Sequence, residues 1–267
     1  MNALNIAVLG GGSWGTTVAS LVARNTRVTL WARSAETVEE INTNHSNSRY
    51  LPGATLSDDL VATGDIATAV HDADVIVMGI PSHNFRAVLE EVRRHIRAWV
   101  PVISLTKGLE LDTRMRMTEI IQQVLPGHPV GVLTGPNLAR EIMAGQAAAS
   151  VIAMEDEIIV RELQNAFKSG LFRVYTNTDV VGCELGGVLK NIIAIAVGMG
   201  DGQGAGDNTR AALITRGLSE VTRLGVAMGG RPETFAGLAG MGDMIATCTS
   251  PQSRNRHVGI ELGKGRN

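Results

Sequence analysis

Residues 5–16 read NIAVLGGGSWGT, and this stretch decides the fold of the N-terminal part of the chain. Residues 5–9 form a short apolar run, which predicts a buried strand. The glycines that follow, Gly10, Gly12 and Gly15, have the spacing G-x-G-x-x-G. After a strand, the first allows a tight turn, the second lets the backbone approach a pyrophosphate, and the third lets a helix pack closely. The stretch predicts a dinucleotide-binding turn, against the alternative of an ordinary glycine-rich turn.

Strand-like and helix-like segments alternate beyond this turn as far as residue 176, which is typical of a parallel sheet with helices on both faces. The predicted strands are 5–9, 27–31, 74–80, 101–105, 130–133, 147–153 and 172–176. The predicted helices between them are 14–23, 34–42, 82–96, 114–124, 138–143 and 155–168. This pattern indicates the α/β class, with a Rossmann-like, doubly wound sheet.

The pattern changes after residue 177, where two long helices are predicted at 179–197 and 208–225 and no further strand is evident. Asn177 and Thr178 are the candidate caps of the first of these helices. We therefore expect a dinucleotide-binding domain over residues 1–177. An all-α substrate and catalytic domain is expected over residues 178–267.

Composition narrows the class of protein. The 267 residues carry 24 basic and 26 acidic side chains, so there is no global basic field of the kind that nucleic-acid binders show. Two cysteines do not suggest a disulfide scaffold, and they suit a reducing, cytoplasmic location. The longest apolar run, residues 192–199, is short for a membrane span, and the N-terminus has no basic leader. No metal site, nucleic-acid partner or membrane span is predicted.

The residues after the second predicted strand bear on the choice of cofactor. NAD-preferring sites usually have an acidic residue there to bind the ribose hydroxyl, but this chain has Arg33 and its first acid is Glu36. A guanidinium is suited to a 2′-phosphate. We therefore predict that NADPH is preferred and that NADH is also used. The alternative is a solvated surface arginine.

Two lysines are candidates for the reaction chemistry. Lys107 follows a predicted strand at the sheet edge where such folds bind ligands, and it is otherwise a solvated loop lysine. Lys190 is the only charged residue between Glu184 and Asp201 in an apolar helix. It either extends to water or faces a cleft in which it can give a proton to a carbonyl oxygen, with Asp243 as a candidate partner.

A polar triplet near the C-terminal end is a candidate phosphate site. Ser253, Arg254 and Asn255 are adjacent, and together their hydroxyl, guanidinium and amide groups can make charge-assisted hydrogen bonds to an anion. The alternative is a solvated basic loop.

Taken together, these motifs resemble the bacterial type of NAD(P)-dependent glycerol-3-phosphate dehydrogenase. The resemblance covers essentially the whole chain, in the order and spacing of that family. It rests on GGGSWGT (10–16), SLTKG (104–108), TGPNLARE (134–141), ELGGVLKNIIAIAVG (184–198), NTRAALITRG (208–217), AGLAGMGDMIATCTS (236–250) and SRN (253–255). It implies reversible hydride transfer between NAD(P)H and dihydroxyacetone phosphate, giving sn-glycerol 3-phosphate for glycerophospholipid synthesis.

The resemblance also implies roles for single residues. Lys190 matches the general acid/base, with Lys107 and Asp243 as supporting charges and Thr247 near the carbonyl. Cofactor-contacting positions of the family match Ser13, Trp14, Arg33, Lys107, Ala139 and Arg254. Substrate-contacting positions match Lys107, Gly135, Asn137, Lys190, Asp243, Ser253, Arg254 and Asn255. Asn137 departs from the serine or threonine that is common in the family, although its amide can still donate and accept hydrogen bonds.

Two further expectations concern the oligomeric state and the length of the helical domain. The resemblance implies a homodimer and a helical domain that continues past residue 267, so that domain is expected to be truncated here. Two alternatives stay open. One is a related dehydrogenase of a β-hydroxyacid or ketopantoate, and the other is a non-catalytic nucleotide-binding protein if the short C-terminus is native.

Overall fold

The computed structural model describes residues 4–266, which contain eight strands and twelve α-helices. The strands are β1 (Asn5–Leu9), β2 (Arg27–Trp31), β3 (Leu60–Thr63), β4 (Val75–Met78), β5 (Val102–Ser104), β6 (Val130–Thr134), β7 (Ala148–Met154) and β8 (Phe172–Asn177). The helices between them are α1 (Ser13–Val22), α2 (Ala35–Asn44), α3 (Ile66–Val70), α4 (Ser82–Val92), α5 (Met117–Val124), α6 (Ala139–Met143) and α7 (Glu157–Phe167). The helices after the last strand are α8 (Val180–Gly202), α9 (Asp207–Ala227), α10 (Pro232–Ala236), α11 (Asp243–Thr249) and α12 (Arg254–Gly263).

All eight strands join one sheet in the order β3-β2-β1-β4-β5-β6-β7-β8. The pairs from β3 through β6 are parallel, and Ile6 of β1 lies opposite both Val28 of β2 and Val75 of β4. The chain runs outward from β1 to β3 and then returns to β4 on the other side of β1. In open α/β sheets, such a reversal places the ligand crevice beyond the carboxyl ends of the two central strands.

Alternate residues of β1 enter two separate cores. Ile6 and Val8 pack with side chains of α1 and α7, whereas Ala7 and Leu9 pack with side chains of α4 and α5. Helices therefore cover both faces of the sheet, and this confirms the predicted doubly wound α/β class.

Sequence analysis missed the edge of this sheet. Neither β3 nor α3 was predicted, because β3 has only four residues and its Val61 is exposed, so it shows no long apolar run. The side chain of Asn42 holds β3 from the side: its amide donates to Ala62 O at 2.9 Å and its oxygen accepts from Ala62 N at 2.7 Å.

A third core lies among the helices that follow β8. It joins Leu185 and Val197 of α8 to Phe235 of α10 and Met244 of α11. The predicted caps of α8, Asn177 and Thr178, are wrong. Asp179 is the N-cap, and its carboxylate accepts hydrogen bonds from Gly182 N, Arg231 N and Thr234 Oγ1.

Helix α8 is longer and more apolar than its longest unbroken apolar run suggested. Its 23 residues have a mean hydropathy of 1.8 over an 18-residue window, which is enough to cross a membrane by length and composition alone. However, 56% of that window is buried by the protein itself. Burial of this kind is what the central helix of a helical domain requires.

The chain divides into two compact units. The first contains the chain up to Leu133 together with Leu138–Ala148 and Ile152–Thr178. The second contains the chain from Asp179 onward, and it also includes Thr134–Asn137 and Ala149–Val151. The assignment of residues 1–177 to nucleotide binding and 178–267 to substrate binding and catalysis is an assignment of roles, and it stays a prediction.

Candidate active site

The glycine turn at the end of β1 is built by close backbone contacts. Gly10 has a φ of +124°, and a Cβ there would lie 2.4 Å from the carbonyl oxygen of Gly79 at the end of β4. A Cβ on Gly15 would lie 2.1 Å from Gly10 O. Gly12 differs, because a Cβ there would meet no described atom within 4 Å. Gly10 and Gly15 thus let the turn close. Gly12 faces open space at the N-terminus of α1, where backbone N–H groups favour an anion.

A pocket of about 520 Å³ lies beside this turn within the first unit. Arg33, Arg49 and Tyr50 contribute side chains to its wall, and no carboxylate does. The Arg49 guanidinium lies over the Tyr50 ring, 5.5 Å from its centre. The guanidinium groups of Arg33 and Arg49 make this pocket suited to an anionic group. Sequence analysis found Arg33 but missed Arg49 and Tyr50, because they lie in a polar loop with no motif around them.

Other predicted cofactor residues do not line that pocket. Ser13 and Trp14 open α1, and the Trp14 ring packs into the core edge-on to Phe172 with 6.3 Å between ring centres. A cofactor contact at Trp14 would therefore come from its backbone. Ala139 is the first residue of α6, and Arg254 belongs to the second unit.

The loop that carries Lys107 is held on both sides. Thr106 Oγ1 donates to Ile80 O at 2.6 Å, and a Cβ on Gly108 would lie 2.9 Å from the Ser82 side chain. Two residues later, Glu110 accepts from Arg86 Nε at 2.7 Å and from Arg86 Nη2 at 2.8 Å.

This bidentate pair lowers the pKa of Glu110 to about 2, with a further hydrogen bond from Thr113. Glu110 therefore stays ionised at neutral pH. Together the contacts place Lys107 at the carboxyl edge of the sheet, as predicted.

Asn137 carries an unusual buried donor. Gly135 has a φ of +133° and lies against the backbone of Ser150. The Asn137 Oδ1 accepts from Ser150 Oγ at 2.5 Å. Its Nδ2 is buried and has no hydrogen-bond partner among residues 4–266. Buried donors are nearly always paired, so this amide is suited to a polar ligand group.

Lys190 lies inside the second unit and does not extend to water. Its side chain is 6% exposed and that of Asp243 is 2% exposed, and the two form an ion pair. Lys190 Nζ also donates to Thr247 Oγ1 at 2.6 Å, and the Thr247 hydroxyl donates to Asp243 O at 2.7 Å. The structure thus brings together the three residues predicted on α8 and α11, and the pairing compensates the burial of both charges.

Close helix packing brings Asp243 to Lys190. Residues 238–242 form a π-helical turn directly before α11, and such turns are frequent at functional sites. A Cβ on Gly186 of α8 would lie 2.5 Å from Ala239 O in that turn. A Cβ on Gly240 would lie 2.2 Å from Phe235 O. Larger residues would push the turn, and Asp243 with it, away from α8.

The polar triplet forms the start of α12. Ser253 is the N-cap, and its Oγ accepts from Arg256 N at 3.2 Å. Arg254 is exposed, and in the described part of the chain no carboxylate pairs with it. Asn255 Nδ2 donates to Asn191 Oδ1 at 2.8 Å, which places the triplet one residue away from Lys190 along α8. Sequence analysis missed Asn191, although its position directly after Lys190 was a signal.

The thiols of Cys183 and Cys248 are weak nucleophiles at neutral pH. Burial raises the pKa of Cys183 to about 12 and, chiefly by the same cause, that of Cys248 to about 11. Both therefore stay protonated at neutral pH, and a thiol is a far weaker nucleophile than a thiolate. Cys248 is the neighbour of Thr247, but its role is packing in the helical core.

Comparison with known proteins decides the family. A family model described as the N-terminus of NAD-dependent glycerol-3-phosphate dehydrogenase matches residues 5–160, and the model of its C-terminus matches residues 179–267. This chain belongs to the NAD-dependent glycerol-3-phosphate dehydrogenase family. The family membership confirms the resemblance seen in the sequence motifs and disfavours the ketopantoate or β-hydroxyacid alternative.

Relatives in the family are close. Glycerol-3-phosphate dehydrogenase (NAD(P)+) 2 of Sphingopyxis alaskensis is 76% identical over 263 residues, which are 98% of this chain and 79% of that protein. The Mycobacterium avium enzyme is 59% identical over 98% of this chain and 77% of its own length. The crystal structure of glycerol-3-phosphate dehydrogenase from Coxiella burnetii is 39% identical with a TM-score of 0.94, over 99% of this chain and 82% of that one. The chain is thus an NAD(P)-dependent oxidoreductase by family.

Proposed function

We propose that the protein catalyses the reversible, NAD(P)H-dependent reduction of dihydroxyacetone phosphate to sn-glycerol 3-phosphate. The observation that carries the proposal is the buried cluster of Lys190, Asp243 and Thr247. A buried ion pair is a weak source of stability, and a hydrophobic pair of similar volume would often serve the fold as well. In a chain that belongs to a dehydrogenase family, chemistry at a carbonyl group is the better explanation of the pair.

Lys190 acts as the general acid in ketone reduction and as the general base in alcohol oxidation. As an ammonium group it donates a hydrogen bond to the carbonyl oxygen and gives up its proton as the oxygen gains negative charge. Asp243 holds the ammonium in its charged form, and Thr247 fixes its direction with a second hydrogen bond. Lys107 is proposed as a supporting charge at the substrate.

A nicotinamide dinucleotide fits the residues of the first unit. The open space at Gly12 leaves room for a pyrophosphate at the N-terminus of α1, and Gly10, Ser13, Trp14 and Gly15 shape that turn. When bound, the reduced nicotinamide supplies the hydride. Arg33 is proposed to bind the 2′-phosphate, and the pocket wall without a carboxylate supports a preference for NADPH over NADH. Lys107, Ala139 and Arg254 are proposed as further cofactor contacts.

The substrate phosphate is proposed to bind at the start of α12. Ser253, Arg254 and Asn255 offer a hydroxyl, an exposed guanidinium and an amide within one helical turn. The helix N-terminus adds a favourable partial charge. Gly135 and Asn137 are proposed to contact the rest of the substrate, with the unpaired Asn137 Nδ2 as donor. Binding the phosphate away from the reacting carbon supplies orientation.

The test is a steady-state assay of NADPH oxidation with dihydroxyacetone phosphate, unphosphorylated dihydroxyacetone and ketopantoate. We expect kcat/KM for the phosphorylated ketone to exceed the others by about a hundredfold or more. Equal values for the three substrates would contradict the proposal, and the highest value for ketopantoate would favour a dehydrogenase of carboxylated substrates. Tight NADPH binding by calorimetry without turnover on any of them would instead indicate a non-catalytic nucleotide-binding protein.

The cellular setting is proposed from the same chemistry. The product is the backbone of glycerophospholipids, so we propose that the enzyme supplies their synthesis in the cytoplasm. A homodimer is proposed for the assembly, and analytical ultracentrifugation of the purified chain tests it directly.

A further inference from the structure

Asp201 holds two arginines in the interior of the second unit, and neither belongs to the site described above. Its Oδ1 accepts a hydrogen bond from Arg210 Nε at 2.9 Å and lies 2.8 Å from Arg210 Nη2 in the ion pair. Its Oδ2 accepts a hydrogen bond from Arg256 Nε at 2.8 Å and lies 2.6 Å from Arg256 Nη2 in the ion pair. The Asp201 side chain is only 7% exposed, and those of Arg210 and Arg256 are 28% and 18% exposed. One carboxylate therefore joins the end of α8 to α9 and to the first turn of α12.

Arg256 connects this cluster to the proposed substrate site. Arg256 directly follows Asn255 and lies two residues after Arg254, the proposed phosphate ligands. Its backbone N–H donates to the N-cap Ser253. The side chain of Arg256 is fixed by Asp201 and its backbone by Ser253, so the first turn of α12 has a defined direction relative to α8.

Helices α8 and α12 also touch backbone to backbone. A Cβ on Gly198 would lie 2.1 Å from Arg256 O, and one on Gly259 would lie 2.1 Å from Ile195 O. Gly202 and Gly263 meet the facing helix just as closely. These contacts set how near the helices lie, whereas the charge-assisted hydrogen bonds at Asp201 add a direction that dispersion contacts lack.

Charge gives a second reason for the cluster. Three arginines lie near the start of α12 or face it, and an unpaired Arg256 could bind an anion in competition with Arg254. Asp201 takes the Nε and Nη2 side of both Arg256 and Arg210, so the exposed Arg254 is the guanidinium whose whole donor set is left for a substrate phosphate.

We infer that Asp201 is a positioning residue for the substrate phosphate, acting through Arg256 to orient Arg254 and Asn255. The inference rests on the proposed function, because it supposes that those two residues bind the phosphate. It goes beyond that function, since Asp201 itself touches neither substrate nor cofactor in this account. Its effect should therefore depend on whether the substrate carries a phosphate.

The experiment compares Asp201→Asn with the wild-type chain on two substrates, dihydroxyacetone phosphate and dihydroxyacetone. For Asp201→Asn we expect KM for the phosphorylated ketone to rise about 10- to 100-fold, with kcat within about threefold. We expect kcat/KM for dihydroxyacetone to change by less than about twofold. The preference for the phosphorylated substrate should thus fall at least about tenfold.

Glu220→Gln is the matched control. Glu220 also faces two arginines, Arg216 and Arg223, but at the exposed surface of α9. Its removal should leave the preference unchanged. Arg256→Lys is the milder companion variant, because it keeps the charge but loses the planar fork, and it should lower the preference about three- to tenfold.

The outcomes separate the two proposals. A wild-type chain that does not prefer the phosphorylated ketone contradicts the proposed function. A wild-type chain that prefers it, with Asp201→Asn keeping the full preference or losing rate on both substrates equally, contradicts the role of Asp201. If Asp201→Asn fails to fold by circular dichroism, Arg256→Lys decides, and an unchanged preference in that variant overturns the inference.

Discussion

The glycine turn of residues 10–15 and the lysine cluster of the second unit are built in opposite ways. At the turn, the functional surface is backbone, and the decisive property of Gly10 and Gly15 is the absence of a side chain. In the cluster, the proposed functional groups are the buried charged side chains of Lys190 and Asp243. A substitution at the backbone site is therefore damaging through steric conflict, whereas a substitution at the charged site is damaging because it leaves the partner charge unpaired.

The largest effect is expected at the charged site. Lys190→Ala should lower kcat by about 10²–10⁴-fold, because the general acid is lost. Cofactor affinity, measured by calorimetry, should change by less than about twofold. Near-normal turnover would remove Lys190 from the mechanism.

Two further variants separate chemistry from folding. Lys190→Ala leaves Asp243 buried and unpaired, which costs about 3–5 kcal/mol of stability, so its thermal midpoint must be measured as well. Lys190→Arg keeps a positive charge beside Asp243 but gives up its proton far less readily. It should retain more stability than Lys190→Ala and still lose most of kcat. Lys264→Ala, at a surface lysine paired with Glu261, is the control and should change neither quantity.

Substitutions in the glycine turn should have smaller effects, one on the stability of the fold and the other on cofactor binding. Gly15→Ala should destabilise the fold, since its Cβ would lie 2.1 Å from Gly10 O. Gly12→Ala should leave the thermal midpoint nearly unchanged, because Gly12 has a φ of −77° and nothing described lies within 4 Å of a Cβ there.

What Gly12→Ala should change is the cofactor. A methyl group would occupy the space into which a pyrophosphate fits, so we expect the dissociation constant of NADPH to rise about tenfold. Calorimetry with NADPH checks this, and thermal unfolding of both variants is the control. Full cofactor affinity in a stable Gly12→Ala protein would contradict the assignment of the turn.

The same contrast explains what could be predicted from the sequence. The turn and β1 could be read from twelve consecutive residues, because the glycine spacing, strand and helix are all local. The edge strand β3 could not be predicted, since it is short and depends on Asn42 for its position. Sequence analysis placed Asp179 as the first residue of α8 and not as its cap, although Asp is a preferred N-cap and its bond from Gly182 N is local. Its bonds from Arg231 and Thr234 join residues far apart in the chain, so they could not be predicted.

The charged site could be predicted only in part. Lys190 stood out as a lone charge in an apolar helix, and Asp243 was a candidate partner, but their contact joins residues 53 positions apart. The bond from Asn255 to Asn191 joins residues 64 positions apart, and the Asp201 cluster left no local pattern. Such contacts depend on how closely α8, α11 and α12 approach, and single-sequence reasoning does not supply that distance.

Arg33, at the nucleotide pocket, tests whether a charged side chain of the first unit discriminates between NADPH and NADH. Arg33→Ala should raise KM for NADPH about 10- to 50-fold and leave KM for NADH within about twofold, because only NADPH carries the 2′-phosphate. Arg161→Ala is the control, since Arg161 is an exposed arginine of the same unit paired with Glu157. An unchanged KM for NADPH in Arg33→Ala would assign the discrimination to another residue, of which Arg49 is the first candidate.

The smallest effect is expected at the ion pair that supports the Lys107 loop, and it is a pH dependence. Arg86 lowers the pKa of Glu110 from 4.5 to about 2, so the stabilisation from this pair is present above about pH 4.5 and is lost as the pH falls toward 2. Glu110→Gln should therefore lower the thermal midpoint near neutral pH, by a loss of about 1–3 kcal/mol. The difference from the wild-type chain should shrink steadily as the pH falls through that range.

Glu162→Gln, at an exposed residue of α7, should show no such convergence. A Glu110→Gln midpoint that stays below the wild-type value by the same margin at every pH would show that packing, not charge, holds the Lys107 loop. The glycine turn and the Lys107 loop would then both depend on backbone and steric contacts, in contrast with the charged cluster of the second unit. Convergence would show instead that a charged pair supports the loop beside a backbone-built turn.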